Sequence, residues 1–303
     1  MLALAFLPCQ KSKIFEHDRK CKAFIDTSQH LANIFNKMSK TKISITINEK
    51  TLQDIDSIID NIYIRNRSQA IEHLAKNALG ENKTAVILLG GNEEHLRIPG
   101  GYYRPTARIK NNSVIELALK KLRENNFKTI LIIARHNLLT KLFEMLKDGA
   151  NYGVKINYIE EKSSNGTADS LRLLKGRINA NFLVVYGDII FNRINIEELW
   201  NDHIKQNAIA TIMLTTSSKP SEKGTVKVEG NKVLAFTQKP KKSDIYLVFS
   251  PIFVTEPQIF EYSGASLESD VFPELAEKGL LNGHLSSEKE VHIHSKKDIE
   301  KIK

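Results

Sequence analysis

The sequence predicts an α/β protein: a mixed, mainly parallel sheet with helices on both faces, preceded by a small unit of one strand and two helices. Three observations predict it. From residue 84 onward, short apolar runs alternate with stretches whose apolar residues recur at helical spacing, the pattern of repeated βα units. One run, FLVVY at Phe182–Tyr186, is apolar throughout, as a strand buried on both faces should be. Glycines follow the runs: Gly90 and Gly91 after AVILL, and Gly187 with Asp188 after FLVVY, so the chain turns at the strand ends.

The totals bound the answer. The chain has 303 residues, 41% hydrophobic and 26% charged, which suits one α/β domain with a small addition. The net charge of +9 is not gathered in one block, so charge alone does not announce nucleic acid. Two cysteines, Cys9 and Cys21, cannot form a disulfide framework, which points to a reducing, cytoplasmic setting. Their spacing with His17 and His30 is not that of a zinc knuckle. No segment reaches the roughly 18 apolar residues of a spanning helix, so no membrane partner is expected. Residues 1–37 lack a clear period and precede a second methionine, Met38, and are expected to be a poorly ordered extension.

Residues 40–47, KTKISITI, alternate strictly, with Ile43, Ile45 and Ile47 on one face and Lys42, Ser44 and Thr46 on the other. That is the pattern of a half-exposed strand. Asn48 should cap a helix whose apolar face is Leu52, Ile55, Ile58, Ile59 and Ile62. Ser68 should cap a second helix, with Ile71, Leu74, Ala75 and Leu79 inward. A lone strand with two helices cannot build a core or pair itself. The polar stretch GENKT, residues 80–84, should act as a hinge. Beyond it the pattern predicts helix SVIELALKKLRENN, strand KTILIIA, helix LLTKLFEMLKDGA, strand VKINYIEE, helix ADSLRLLKG and strand FLVVY. Helix IEELWNDHIKQ, strand AIATIMLTT, a hairpin through TVKVEGNKVLAFTQKP and strand IYLVFSPIFV follow. The chain then runs through helices near PQIFEY and LESDVFPELAEKG and two short strands to KKDIEKI. His292 and His294 alternate onto one face there, and strand histidines of this kind are commonly solvent-exposed. No Walker loop, dinucleotide fingerprint or Ser-His-Asp order is present.

Residues 40–79, with RNRSQAI at the second helix start, resemble the ribbon-helix-helix fold. The resemblance implies a domain over 38–80 and a homodimer through residues 40–79 whose paired strands enter the DNA major groove. It would set Lys42, Ser44 and Thr46 on the bases. Arg65, Arg67 and Ser68 would lie near the phosphates, helped by helix N–H groups. A dimerisation module that never touches DNA remains the other reading of this unit.

The stretch NGTADSLRLLKGRINANFLVVYGD carries a second resemblance, to the sugar-phosphate nucleotidylyltransferases, over roughly residues 84–301. It implies a Rossmann-like nucleotidyltransferase fold for 84–303. Gly166 and Thr167 match the family's GTA-type turn, which helps hold nucleotide and sugar, and Asp188 matches the acid that binds catalytic magnesium. Lys239 of QKP matches a lysine that contacts the sugar phosphate. LESDVFPELAEKG and DIEKI match later landmarks in the right order. Gly90 and Gly91 match the glycine loop that wraps a triphosphate with backbone N–H groups.

The same loop departs from the family pattern. Glu93 and Glu94 stand where a Gly and a Thr belong, His95 where an Arg belongs, and Thr106 where a Lys belongs. Two carboxylates about 4 Å from a phosphate oxygen each cost on the order of 1–4 kcal/mol. Thr255 stands where a second metal ligand is expected. Two functions therefore remain in view. One is a DNA-binding regulator whose second domain binds a nucleotide, sugar phosphate or NDP-sugar with weak or no catalysis. The other is an active sugar-1-phosphate nucleotidylyltransferase dimerised through its N-terminal unit.

Overall fold

The computed structural model describes residues 41–62, 64–79, 83–98, 101–163, 165–293, 295 and 298–300. The extension expected over residues 1–37 lies outside them. The chain divides into two compact units, residues 1–54 and 55–303. In the first, residues 41–48 pair with no strand, so the strand expected over 40–47 forms no ladder among the described residues. Strand N–H and C=O groups need a neighbouring strand, and a single chain offers none here. Ile43 and Ile45, expected to pack beneath, are 75% and 52% exposed.

Helix α1 spans Glu49–Ser57, and Asn48 caps it as expected, its Oδ1 accepting the Thr51 N–H at 2.8 Å. The helix stops before Ile58, Ile59 and Ile62 of its expected face. The Asp60 carboxylate takes the N–H groups of Ile62 and Ile64, and Asn61 turns to φ 59°. Helix α2 spans Arg67–Leu79. Its cap is Asn66, whose Oδ1 accepts the Gln69 N–H at 3.0 Å, rather than Ser68, which lies in the first turn. Of its expected inner face, Leu74 and Ala75 are exposed. Arg67 donates to both oxygens of Asp56 at 2.7 Å.

The sheet begins with β1, Lys83–Leu89. Lys83 and Thr84 thus belong to the strand and not to the hinge expected over 80–84. The reason is tertiary: the Lys83 ammonium lies over the rings of Phe127 and Trp200, 5.6 and 5.2 Å from their centroids. Short strands β2 (Arg97–Ile98), β3 (Tyr102–Tyr103), β4 (Arg108–Ile109) and β5 (Asn112–Ser113) make two small hairpins in the loop after β1. Then come α3 (Val114–Glu124), β6 (Phe127–Ala134), α4 (His136–Leu146), β7 (Lys155–Glu160), α5 (Thr167–Arg172) and β8 (Phe182–Tyr186). The second half holds β9 (Ile189–Ile190), α6 (Ile196–Lys205), β10 (Ala210–Thr216), β11 (Gly224–Glu229), β12 (Lys232–Gln238), β13 (Leu247–Thr255), α7 (Phe272–Glu277), β14 (Leu281–Leu285) and β15 (Val291–His292). Ser113 starts α3 with a capping box shared with Glu116.

Nine strands form one mixed sheet in the order β10-β14-β12-β11-β13-β8-β1-β6-β7. β1 pairs in parallel with both β6 and β8, and β6 in parallel with β7. β13 runs antiparallel to β8 and joins the second half, where only β14 against β10 is parallel. The two last strands do not pair with each other: β15 lies against β9. Both faces of β1 and β8 are buried. Ala85, Ile87, Leu89, Leu183 and Val185 pack under α3, α4 and α6, while Val86, Leu88, Phe182 and Val184 pack under α5 and α7. Among the described residues no helix is long and apolar enough to cross a membrane.

His203 on α6 is 2% exposed, with Nδ1 2.9 Å from Thr211 Oγ1 of β10. Burial lowers its pKa from 6.5 to about 4. Between those values the unfolded chain takes up a proton that the folded chain refuses. This stabilisation is therefore complete above pH 6.5 and lost as pH falls toward 4, at most about 3 kcal/mol. Urea unfolding at neutral and at acid pH should show a smaller acid loss in His203→Leu than in the wild type. Equal losses would rule this histidine out.

Candidate functional site

Because β1, β6, β7 and β8 are mutually parallel, their carboxyl ends lie on one edge, where open α/β sheets bind ligands. The residues that follow them are Gly90–Gly91, Arg135, Glu161 and Gly187–Asp188. The expected residues Gly90, Gly91 and Asp188 are thus brought to one edge. Arg135 and Glu161 were not expected at the site, although Arg135 directly follows the expected strand KTILIIA and Glu161 is the last residue of the expected VKINYIEE.

Glu161 is buried and carries most of the local order. Its Oε2 accepts the Gly91 N–H at 2.6 Å and lies 3.2 Å from Arg135 Nε, and its Oε1 accepts the Ser170 hydroxyl. Arg135 also donates to the carbonyls of Gly91, at 3.2 Å, and Lys162, at 2.7 Å. Without such partners a buried carboxylate would be costly to fold around. Gly91 sits at φ 92°, which few residues other than glycine adopt. The loop then tightens into a 3₁₀ turn over Glu93–Leu96, where Asn92 Oδ1 accepts the Glu94 N–H at 3.0 Å.

The departures from the family pattern have partners. Glu93 accepts from the Tyr103 hydroxyl at 2.5 Å and from Asn137 at 3.2 Å. Glu94 lies 3.1 Å from Arg97 Nε. Burial, with Glu93 beside it, pushes the Tyr103 phenol up to about 12, so it stays a neutral donor. Thr106 donates to the Tyr103 carbonyl at 2.9 Å and holds the turn Arg104–Thr106. A cavity of 410 Å³ at this edge is lined by Arg135, Ser163, Asn165, Asp169 and Arg172. A larger cleft of 710 Å³, lined by Ile98, Tyr102, Lys141, Met145 and Ile299 among others, includes neither Gly91 nor Asp188.

Gly166 and Thr167 open α5 as expected, but their contacts point inward. A Cβ on Gly166 would lie 2.6 Å from the Ala265 carbonyl oxygen, so this approach needs glycine. The Thr167 hydroxyl donates to Glu268 Oε2 at 2.7 Å and accepts the Leu267 N–H at 2.8 Å. Ser266 and Tyr186 hydroxyls complete the carboxylate's set. Burial and this carboxylate push the Tyr186 phenol well above its usual range.

Asp188 Oδ2 lies 3.1 Å from Arg104 Nη1. Thr255, at the expected second-ligand position, lies far from it. β13 is antiparallel to β8, and Thr255 pairs with Phe182 at the start of that strand, six residues or about 20 Å from Asp188. Its hydroxyl donates to the Ile209 carbonyl at 2.9 Å. Ile252 pairs with Val185, so the next β13 residues, Pro251 and Ser250, approach the site edge instead. Among the described residues no three His, Cys, Asp or Glu side chains could share a metal ion. With Asp188 paired to a guanidinium and its expected co-ligand at the far end of the sheet, these residues do not fit a magnesium ion.

Lys239 is exposed at φ 44°, its N–H bonded to the Lys223 carbonyl at 3.0 Å. Lys223 Nζ in turn reaches Glu290 Oε1 at 2.7 Å, and Ser250 reaches Glu290 Oε2 at 2.6 Å. Burial pushes the Glu290 carboxyl up, but bonds from His292, Lys223 and Ser250 outweigh it and hold it at about 2. β15 lays His292 opposite Ile189, and the Ile293 N–H bonds to the Asp188 carbonyl. In the N-terminal part, Lys42, Ser44, Thr46 and Ser68 are exposed, Arg65 Nε donates to the Ile62 carbonyl at 3.2 Å, and Arg67 is held by Asp56.

Thr167→Val should leave the Leu267 N–H and one Glu268 oxygen short of a partner. The expected loss is about 1–3 kcal/mol in denaturant unfolding, with the fold retained by circular dichroism. A neutral substitution would mean that Thr167 does not support the turn.

Comparison with known proteins agrees with this geometry. Residues 84–294 match the family described as Nucleotidyl transferase. The UTP–glucose-1-phosphate uridylyltransferase of Synechocystis sp. is 27% identical over 218 residues, covering 65% of this chain and 56% of that protein. The mannose-1-phosphate guanyltransferase of Yarrowia lipolytica is 26% identical over 205 residues, covering 65% and 56%. The bifunctional protein GlmU of Methanococcus maripaludis is 28% identical over 211 residues, covering 66% and 48%. The chain thus spans about half the length of the curated relatives it matches. A Bacillus anthracis structure described as a glucose-1-phosphate thymidylyltransferase, with sucrose bound, superposes with a TM-score of 0.63 at 20% identity, covering 73% of this chain and 93% of that one. That likeness is one of fold. The match over residues 84–294, on a sheet whose parallel strand ends gather Gly90, Gly91 and Asp188, places this chain in the nucleotidyl transferase family, with a domain of the sugar-1-phosphate nucleotidyltransferase kind.

Proposed function

We propose that the domain binds a nucleotide, sugar phosphate or NDP-sugar at the carboxyl edge of its sheet, turns it over weakly or not at all, and reports it to a DNA-binding homodimer built on residues 40–79. One observation carries the first part. The groups that would serve a triphosphate are already engaged: the Gly91 N–H on Glu161, the Glu94 N–H on Asn92, and Asp188 on Arg104. Each donor withheld from a transition state costs roughly 10²–10³-fold in rate. The same edge keeps its position in the fold, so ligand recognition is the property that remains. The second part rests on the cap pattern of α1 and α2 and on the exposed Ile43 and Ile45, which leave an apolar strand face for a second copy.

A second reading, an active sugar-1-phosphate nucleotidyltransferase, draws on one observation as well. Glu93 and Glu94 are partnered by Tyr103, Asn137 and Arg97, which lessens the repulsion they would exert on phosphate. The named activities of the relatives favour it equally.

Pyrophosphate release with UTP, GTP or dTTP and glucose or mannose 1-phosphate separates the readings. Turnover in the wild type no greater than in Asp188→Ala is expected. Robust release that the substitution removes would make the protein an enzyme. For the homodimer, Ile43→Asp combined with Ile45→Asp in the full chain should convert dimer to monomer in sedimentation and abolish retention of DNA fragments from its own genome. A dimer that persists would take the strand out of the interface.

A further inference from the structure

The carboxylate that the family resemblance assigns to a metal is held by this chain's own guanidinium. We propose that Arg104 takes the place of a divalent cation at Asp188, so that a phosphate-bearing ligand is bound here without metal. This inference rests on the ligand-binding reading above and deepens it.

The arrangement is built. Arg104 Nη1 lies 3.1 Å from Asp188 Oδ2, and the two side chains are 19% and 17% exposed. The turn that aims Arg104 is pinned at each residue. Tyr103 before it is 1% exposed, Pro105 is buried, and the Thr106 hydroxyl and Ala107 N–H close the turn onto the carbonyls of Tyr103 and Arg104. The guanidinium is therefore placed by scaffold on one side and by the end of β8 on the other.

Charge and geometry then decide what this site accepts. The guanidinium at Asp188 Oδ2 sets a positive charge beside the carboxylate, which disfavours a divalent ion there. Of the Arg104 nitrogens, Nη1 alone is bonded among the described residues, and Nε is buried without a partner. A guanidinium bound to a carboxylate on one edge still offers donors to phosphoryl oxygens, in the planar geometry that suits them. It can thus anchor a diphosphate as a metal ion would. It carries one charge where the ion carries two, and it exchanges no ligands. Such a site suits retention of an NDP-sugar better than stabilisation of the charge that shifts during nucleotidyl transfer.

The test uses the full chain and two probes. Mn²⁺ uptake in the presence of UDP-glucose, whose phosphates supply ligands that the protein lacks, is followed by electron paramagnetic resonance. Wild type should show no Mn²⁺ uptake that depends on Asp188. Arg104→Ala, or Arg104→Met where alanine lowers folding, should take it up, and adding Asp188→Asn should remove it again. Calorimetric titration with UDP-glucose and with GDP-mannose reads the ligand. Wild-type affinity should be the same in EDTA and in Mg²⁺. Arg104→Ala should lose roughly tenfold or more in EDTA and recover in Mg²⁺. Mn²⁺ binding by wild type that Asp188→Asn abolishes would overturn the proposal. So would a folded Arg104 variant that takes up no Mn²⁺, or wild-type affinity that requires Mg²⁺. Should neither sugar nucleotide bind, the ligand-binding reading fails and the metal-free anchoring of a ligand fails with it.

Discussion

The parallel pairing of β1 on both sides is the constraint on which the rest of the larger unit depends. A strand so placed must be apolar on both faces, and helices must cover both. β1 meets that demand by alternating Ala85, Ile87 and Leu89 toward one layer with Val86 and Leu88 toward the other. Parallel strands also end on the same edge. Gly90, Arg135, Glu161 and Asp188 therefore meet at one edge although long stretches of chain separate them. The glycine loop needs no further device to reach Glu161 than a residue at φ 92°.

Each carboxylate at this edge has a partner within the protein. Glu161 faces Arg135 and the loop N–H, Asp188 faces Arg104, Glu93 faces Tyr103, and Glu94 faces Arg97. Removing one partner from a buried pair costs on the order of 3–5 kcal/mol, because the other charge is left without compensation. An incoming phosphate competes with Glu161 for the Gly91 N–H, whereas at Arg104 it meets the donors that Asp188 leaves unused.

The N-terminal part obeys a different constraint. Its helices are capped well, at Asn48 and Asn66, and joined by the Arg67–Asp56 pair. Capping and one exposed ion pair stabilise short helices only modestly. The apolar residues that would stabilise them, Ile43, Ile45, Ile62 and Leu74, are exposed in the single chain. A segment of this size lacks the buried area to hold itself, which is why a second copy enters the proposed function.

The sequence by itself determined the longer strands and helices of the larger unit through their apolar periods, but not the short strands β2–β5 and β9, which are too brief to show a period. It also placed Gly90, Gly91, Thr167 and Asp188 at turns, because glycine and helix-start chemistry is local. It misplaced the cap of α2, where Asn66 and Ser68 are both good caps and only the folded turn chooses between them. It missed Lys83 as a strand residue, since the rings of Phe127 and Trp200 that receive its ammonium come from distant segments. Thr255 was assigned to the metal by its order along the chain, but the antiparallel register of β13 against β8 sends it to the far end of the sheet. Arg104 at Asp188, and Glu161 between Arg135 and Gly91, were decided by tertiary structure alone. Each of those contacts joins side chains on different elements, and which opposite charges meet there depends on strand order and register, which no local pattern encodes.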